Sequence, residues 1–169
     1  LKYQMRVLVT GRAGYIRSHM VKLLLEHGRE AVTLDNLSTG FAWAVDPRAT
    51  LIVGDMGDQR LVETIMRLHA VDAVIHFAAR IVVPDSVSDP LGYYLANTVK
   101  TRAVMAAAVA SGVRHFIFSS TAAVYGTPEV MPVNEDAATR PESPYGTSKL
   151  ITEWMLRDAA AAHDLTYVV

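Results

Sequence analysis

The sequence predicts an α/β fold in which a doubly wound, mostly parallel sheet carries helices on both faces. Short runs of β-branched residues alternate with longer amphipathic runs along the 169 residues. A turn containing Gly11 and Gly14 follows the first of the short runs. Parallel strands need helical crossovers, so this alternation favours a sheet buried between two layers of helices. The length fits one domain, and we expect the fold to be truncated at its sixth strand.

The first half of the chain is expected to form four strands and two helices. A helix over residues 15–27 is closed by Gly28, because glycine readily adopts the left-handed conformation that ends helices. Asp58 can cap a helix that reaches Leu68. The strands cover residues 6–10, 30–35, 50–53 and 73–76.

The second half is expected to form two strands and three helical stretches. Asp89 and Pro90 open a helical stretch to about residue 95, and Asn97 caps an Ala-rich helix that ends near residue 112. A Pro-rich loop over 127–143 precedes a helix over 144–163 with Ser143 as its N-cap. The strands cover residues 115–120 and 166–169.

Composition excludes several classes of function. Sixteen basic and seventeen acidic residues leave a net charge of −1, which creates no field for nucleic acid or an anionic membrane. The six histidines show no metal-ligand spacing, so no metal is expected. The absence of cysteine fits a reducing cytoplasm, and neither a signal peptide nor an apolar run of about 20 residues is present.

A nucleotide site is predicted where the first two strands end. Glycine in the turn after the first strand lets backbone N–H groups approach a pyrophosphate at the positive end of a helix. Asp35 ends the second strand, 24 residues after Gly11, where a carboxylate can accept hydrogen bonds from ribose hydroxyls and repel a 2′-phosphate. This favours NAD over NADP. Alternatively, Asp35 and Asn36 form only a strand-end turn.

A proton-transfer site is predicted from Thr121, Tyr145 and Lys149. Tyr145 and Lys149 are four residues apart, so on a helix they share one face. The ammonium can stabilise a phenolate, which lowers the pKa of tyrosine from about 10 toward neutrality and makes it a better base. Thr121 would hydrogen-bond the same substrate oxygen. Taken alone, the Tyr–Lys pair is better explained as an accident of helical spacing, and only the surrounding motifs reverse that preference.

Together these segments resemble the extended short-chain dehydrogenase/reductase superfamily, and within it the UDP-glucose 4-epimerases. The resemblance runs through nearly the whole chain. It is carried by the stretches at 9–19 (VTGRAGYIRSH), 34–37 (LDNL), 54–55 (GD), 76–79 (HFAA), 118–126 (FSSTAAVYG) and 143–149 (SPYGTSK).

The resemblance implies a Rossmann-type NAD-binding domain over residues 1–169, with the C-terminal substrate domain absent from this chain. It implies that Asp55 and Met56 flank the adenine, that Phe77, Ala78 and Ala79 line the cofactor crevice, and that Lys149 holds the nicotinamide ribose. The full implied cofactor set is Gly11, Gly14, Tyr15, Ile16, Asp35, Asn36, Asp55, Met56, Phe77, Ala78, Ala79, Asn97, Ser119, Tyr145 and Lys149.

The implied activity is interconversion of UDP-glucose and UDP-galactose. Tyr145 would remove the proton of the sugar 4-hydroxyl while NAD takes the hydride, and the hydride would return to the other face of the rotated keto sugar. Related dehydratases have an Asp-Glu pair where Ala122 and Ala123 stand, which favours an epimerase. Relatives pair through helices near Asn97 and Pro144, so a homodimer is implied.

Two arginines depart from the family pattern, which has glycine at the positions of Arg12 and Arg17. A side chain at position 17 is expected either to push the first helix off the sheet or to swing into solvent. Arg12 would either fill the pyrophosphate site or bind phosphate itself. A smaller departure is Ile81, where many relatives have lysine.

Three functions therefore stay open. The first is the cofactor half of a sugar-nucleotide 4-epimerase, expected to be inactive in isolation because most of the sugar-nucleotide pocket comes from the missing half. The second is a catalytically silent Rossmann-type module with impaired dinucleotide binding. The third is a reductase that uses Arg12 to hold the 2′-phosphate of NADP, which Asp35 disfavours.

Overall fold

The computed structural model describes residues 4–11, 15–38, 43 and 45–169 and contains a six-stranded sheet. All five strand pairings are parallel, and the strand order is β3-β2-β1-β4-β5-β6. The order reverses between β1 and β4, which are neighbours in the sheet. The predicted doubly wound fold is confirmed.

The strand and helix bounds follow the sequence prediction closely. Asp58 and Ser143 cap α2 and α6 through their side chains, as predicted. The strands are β1 (Arg6–Thr10), β2 (Glu30–Asp35), β3 (Thr50–Val53), β4 (Ala73–His76), β5 (His115–Phe118) and β6 (Thr166–Val168). The helices are α1 (Tyr15–Glu26), α2 (Gln59–Leu68), α3 (Val83–Ser88), α4 (Pro90–Tyr93), α5 (Lys100–Ala110) and α6 (Pro144–Ala162).

Asn97 does not cap a helix, contrary to the prediction. It lies inside a π-helical segment, Tyr94–Val99, that joins α4 to α5 without a break. Two short elements were not predicted: α3 and a 3-10 turn over Ala122–Tyr125. The fifth strand also ends at Phe118, so Ser119 and Ser120 lie beyond it.

The apolar core forms one cluster on each side of the sheet. Alternate residues of β1 divide between them: Leu8 packs with helices α2, α5 and α6, whereas Val7 and Val9 pack with Val21 of α1. Strands covered on both faces need apolar residues at successive positions, and β4 is buried throughout.

The parallel register brings the carboxyl ends of four strands to one edge. Thr10 is paired with both Leu34 and His76, and His76 is paired with Phe118. Ligands of open α/β sheets bind outside this edge, at the point where the strand order reverses. Among the described residues, no helix is both long and apolar enough to cross a bilayer.

Candidate functional site

The turn after β1 passes close to the end of β4. Gly11 has φ +118°, and a Cβ built there would lie 2.5 Å from the backbone nitrogen of Ala78. Only glycine fits this approach, so Gly11 lets the backbone after β1 pack directly on the backbone after β4. Tyr15 and Ile16 begin α1 with exposed side chains. Arg12 and Gly14, which were also assigned to this site, lie outside the described residues.

Asp35 ends β2 with its side chain buried and both carboxylate oxygens near donors. Its Oδ1 accepts a hydrogen bond from the Leu37 backbone nitrogen at 2.8 Å, which is the contact of a strand-end turn. Its Oδ2 lies 3.2 Å from Nη2 of Arg17. The strand-end turn uses Oδ1 and the ion pair with Arg17 uses Oδ2. A ribose hydroxyl would therefore have to share a carboxylate oxygen that already has a partner.

Arg17 is neither solvated nor directed outward. Only 3% of the residue is exposed, and its guanidinium pairs with Asp35 inside the protein. The expectation that the side chain swings into solvent is wrong. Burial lowers the pKa of Arg17, and the Asp35 carboxylate opposes that shift. Arg17 Nη1 is buried without a hydrogen-bond partner.

A cleft opens at the carboxyl edge between the ends of β1, β2 and β4. It contains seven of the residues assigned to the cofactor: Gly11, Asp35, Asn36, Asp55, Met56, Ala78 and Ala79. The rest of its lining was not predicted and consists of Leu34, Ser38, Gly54, Arg80, Ala96 and Lys100. Phe77 instead packs against the cluster that contains Val7 and Val9.

Asp55 forms an ion pair with Lys100 across the cleft. Lys100 Nζ lies 2.5 Å from Asp55 Oδ2, and the Gly57 backbone nitrogen donates to Oδ1. Burial alone would raise the pKa of Asp55, but these hydrogen bonds and the lysine charge hold it below its usual range. The sequence signal that could have found Lys100 is its spacing of three residues from Asn97, close to one helical turn.

Asn97 clamps the backbone that follows β4. Its Oδ1 accepts from the Arg80 backbone nitrogen at 2.8 Å, and its Nδ2 donates to the Arg80 carbonyl at 3.0 Å and to Ser148 Oγ at 3.1 Å. π-helical turns often occur at functional sites. The asparagine therefore links the cleft wall to α6.

Lys149 is buried at the end of β5. Its Nζ donates to the Ser119 carbonyl at 2.8 Å and lies 4.7 Å from the centre of the Phe118 ring. Burial lowers the pKa of Lys149 to about 8. Tyr145 lies one turn earlier on the same helix and is half-buried, and Thr121 caps the 3-10 turn through Ala123.

The predicted catalytic residues are held by close packing of α6 on the β5 loop. A Cβ on Gly146 would lie 2.7 Å from the Ala123 carbonyl oxygen, so glycine allows the helix to approach. Ser120 donates a hydrogen bond to Glu153, one turn beyond Lys149. Glu153 was not predicted, although its spacing of four from Lys149 is a signal for a shared face.

Residues 7–169 match the family model described as the NAD dependent epimerase/dehydratase family. The chain belongs to this family. Its sequence is 52% identical to a UDP-glucose 4-epimerase of Azospirillum brasilense over 97% of this chain and 47% of the relative. It is 43% identical to a UDP-glucose 4-epimerase of Halalkalibacterium halodurans over 97% of this chain and 49% of that relative.

Solved structures of family members have the same fold. A UDP-glucose 4-epimerase from Brucella ovis in complex with NAD superposes with a TM-score of 0.93 and 44% identity over 96% of this chain and 50% of that chain. A Thermotoga maritima UDP-glucose 4-epimerase with UDP-glucose superposes with a TM-score of 0.92 and 36% sequence identity, over 96% of this chain and 53% of that chain. This family member spans about half the length of the relatives it matches.

Proposed function

We propose that this chain is the NAD-binding half of a sugar-nucleotide 4-epimerase that interconverts UDP-glucose and UDP-galactose. The observation that supports this most is that α6, which contains Tyr145 and Lys149, packs against the turn capped by Thr121, in a chain whose relatives are UDP-glucose 4-epimerases. Several relatives were solved with NAD bound.

The cleft fits a dinucleotide. The turn after β1 and the start of α1 would face the pyrophosphate. Asp35 and Asn36 would hold the adenosine ribose, and Asp55 and Met56 would flank the adenine. The bound cofactor would accept a hydride from the sugar C4 and return it.

The chain's own residues would control the proton of the sugar 4-hydroxyl. Tyr145 would accept it, and the buried Lys149 ammonium would stabilise the resulting phenolate. The hydrogen bond from Lys149 Nζ to the Ser119 carbonyl would help to hold the ammonium in place. Thr121 would donate a hydrogen bond to the same oxygen.

One observation favours the second candidate, a silent module with impaired cofactor binding. Arg17 occupies the Asp35 oxygen that a ribose hydroxyl would use. A dinucleotide must then displace an ion pair or bind beside it.

Calorimetric titration with NAD tests the cofactor assignment. We expect the purified chain to bind NAD, and a chain that stays folded but binds no NAD at millimolar concentration would contradict the proposal. Turnover of UDP-glucose by this chain alone should be negligible, because remote binding energy is needed to orient the sugar.

A chimera tests the catalytic assignment. This chain would replace the matching half of the Azospirillum brasilense enzyme, and we expect the chimera to interconvert UDP-glucose and UDP-galactose. Tyr145→Phe should lower kcat by about 10²–10⁴-fold. Tyr167→Phe, on the exposed β6, serves as the matched control. Equal activity of the two variants would show that Tyr145 is not the base.

We also propose a homodimer that forms through α5 and α6. Their outer faces leave an apolar groove, lined by Arg102, Met105, Ala106, Val109, Met155, Asp158, Ala159 and His163. Analytical ultracentrifugation should give a mass of two chains for the native protein and a mass of one chain for Met155→Glu.

A cytoplasmic location stays a prediction that cell fractionation can check.

A further inference from the structure

We propose that Arg17 determines cofactor specificity: its ion pair with Asp35 removes the selection against a 2′-phosphate, so the cleft accepts NADP as well as NAD. This inference rests on the proposed function, in which the cleft binds a dinucleotide. It concerns which dinucleotide is bound and leaves the sugar chemistry unchanged.

An acidic residue at the end of β2 selects NAD through two effects. Its carboxylate accepts hydrogen bonds from the ribose hydroxyls, and its negative charge repels a 2′-phosphate. Both effects require a carboxylate that is free and unneutralised. A nearby arginine has the opposite effect, because it accommodates the 2′-phosphate of NADP.

Asp35 lacks both requirements in this chain. The Leu37 backbone nitrogen occupies Oδ1 at 2.8 Å, and Arg17 Nη2 lies 3.2 Å from Oδ2. Each side chain of the pair is 2% exposed, so water screens the arginine charge only weakly from its partner. The pair as a whole is neutral, and a ribose hydroxyl must compete with an internal cation.

Arg17 also keeps an unused donor. Nη1 is buried without a hydrogen-bond partner, and Asp35 Oδ2 has an ion-pair contact but no hydrogen bond of acceptable geometry. A buried donor without a partner is unfavourable, and phosphate oxygens are strong acceptors for the planar guanidinium. Because Arg17 is buried and does not line the cleft, its effect on a 2′-phosphate beside Asp35 would act through its charge.

Asp55, the other carboxylate in the lining of the described cleft, is neutralised in the same way. Lys100 Nζ lies 2.5 Å from Asp55 Oδ2, and Arg80 adds a second cation to the lining. Both carboxylates of the lining therefore have a cation as partner, and neither offers an unpaired negative charge to a dianionic phosphate.

The test is the ratio of two dissociation constants, Kd for NADP divided by Kd for NAD, measured by calorimetry on the 169-residue chain. A ratio is used because the bulk of residue 17 affects both ligands alike. In the native chain we expect the ratio to lie within about tenfold of one. Arg17→Met removes the charge but keeps an unbranched side chain, and should raise the ratio at least about tenfold, equivalent to about 1.4 kcal/mol.

Two variants complete the design. Arg17→Lys keeps a positive charge but changes the shape of the side chain. It should keep a low ratio of the two dissociation constants, which would show that the charge at position 17 sets the ratio. Arg6→Met is the matched control. The exposed side chain of Arg6 pairs with Glu30, which begins β2, whereas Asp35 ends that strand. It should leave the ratio unchanged.

Each outcome decides the matter. A native preference for NAD of more than about tenfold overturns the inference without any variant, as does an equal ratio in folded Arg17→Met. If the folded native chain binds neither dinucleotide, the proposed function fails and this inference fails with it. Strong NAD binding with unchanged selectivity leaves the proposed function standing and rejects only the role of Arg17.

Discussion

The two halves of the sheet's carboxyl edge differ in how their buried polar groups are satisfied. Beyond β4 and β5, His76 is hydrogen-bonded to Thr10 at 2.6 Å and to Thr101 at 2.9 Å, and Lys149 donates to Ser119. Beyond β1 and β2, Arg17 Nη1 and Asp35 Oδ2 are buried without hydrogen bonds. The proposed proton-transfer residue Lys149 lies in the β4 and β5 half, and the proposed determinant of cofactor choice, Arg17 with Asp35, lies in the β1 and β2 half.

Under the proposed role of Arg17, one substitution would change cofactor choice without touching the predicted proton-transfer residues. The β4 and β5 half depends on interlocked hydrogen bonds, so changes there should destabilise the whole fold. The β1 and β2 half already contains unsatisfied groups, so changes there should alter binding more than folding.

Gly11→Ala should give the largest effect, because Gly11 lies where the two halves meet. The new Cβ would lie 2.5 Å from Ala78 backbone and sit at φ +118°. Strain and overpacking together should reduce the free energy of unfolding by about 3–4 kcal/mol, measured in urea. Gly28→Ala is the control: its φ is +69° but its Cβ would meet nothing within 4 Å, so the loss should be about 1 kcal/mol. Equal losses would show that the contact with Ala78 is unimportant.

Asn97→Leu should cost about 2–3 kcal/mol of unfolding free energy. The change leaves the Arg80 backbone nitrogen and carbonyl and Ser148 Oγ without the partner that Asn97 supplies. Asn134→Leu, at an exposed loop position, should change stability by less than about 0.5 kcal/mol. A loss below 1 kcal/mol in Asn97→Leu would mean that water replaces the clamp.

His76 should make the fold acid-sensitive. Burial, together with the charge of Lys149, lowers the pKa of His76 to about 3, against about 6.5 in the unfolded chain. Between these values the unfolded state binds more protons, so stability falls as pH falls. The loss should be about 1.6 kcal/mol between pH 6.5 and pH 5, because the unfolded histidine is already half protonated at pH 6.5.

Urea unfolding of His76→Gln at both pH values checks this. The variant should lose less stability over this interval than the native protein, whereas His163→Gln, at an exposed position, should match the native protein. If His76→Gln loses as much unfolding free energy between the two pH values as the native protein does, the acid sensitivity comes from carboxylates.

Lys149 should give the smallest effect, and in the alkaline range. Burial lowers its pKa to about 8, so above that value the folded state releases a proton that the unfolded state keeps up to about pH 10.4. Stability should therefore rise by about 1 kcal/mol between pH 8 and pH 9. Lys149→Met should abolish the rise, and Lys22→Met, on an exposed part of α1, should not.

Most of the fold could be predicted because strands and capped helices have local signals. Asp58 and Ser143 hydrogen-bond the backbone of their own helices, and β-branched runs identified each strand to within two residues. The role of Asn97 as a cap was wrong, because its partners Arg80 and Ser148 are distant in sequence. Capping preference describes neighbours along the chain and cannot detect such a clamp.

Part of the cleft lining could be predicted from the sequence, but its ion pairs could not. Gly11, Asp35 and Lys149 were identified from spacing and residue type. The pairing of Arg17 with Asp35, and of Lys100 with Asp55, depends on where flexible side chains turn after the helices have packed. Arginine and lysine reach several partners through long stems, so sequence order alone does not choose among them.

The π-helical segment Tyr94–Val99 sets the relative orientation of two side chains, Asn97 and Lys100, that contact different parts of the protein. An α-helix places residues about 100° apart around its axis, and the wider π turn accommodates one additional residue before the α-helix resumes. The added rotation sets Asn97 toward Arg80 and Ser148 while Lys100, near one turn later, reaches Asp55. Deleting one residue from this segment would make the helix more regular. It would also rotate Asn97 and Lys100 relative to each other, so that they could no longer both reach their partners.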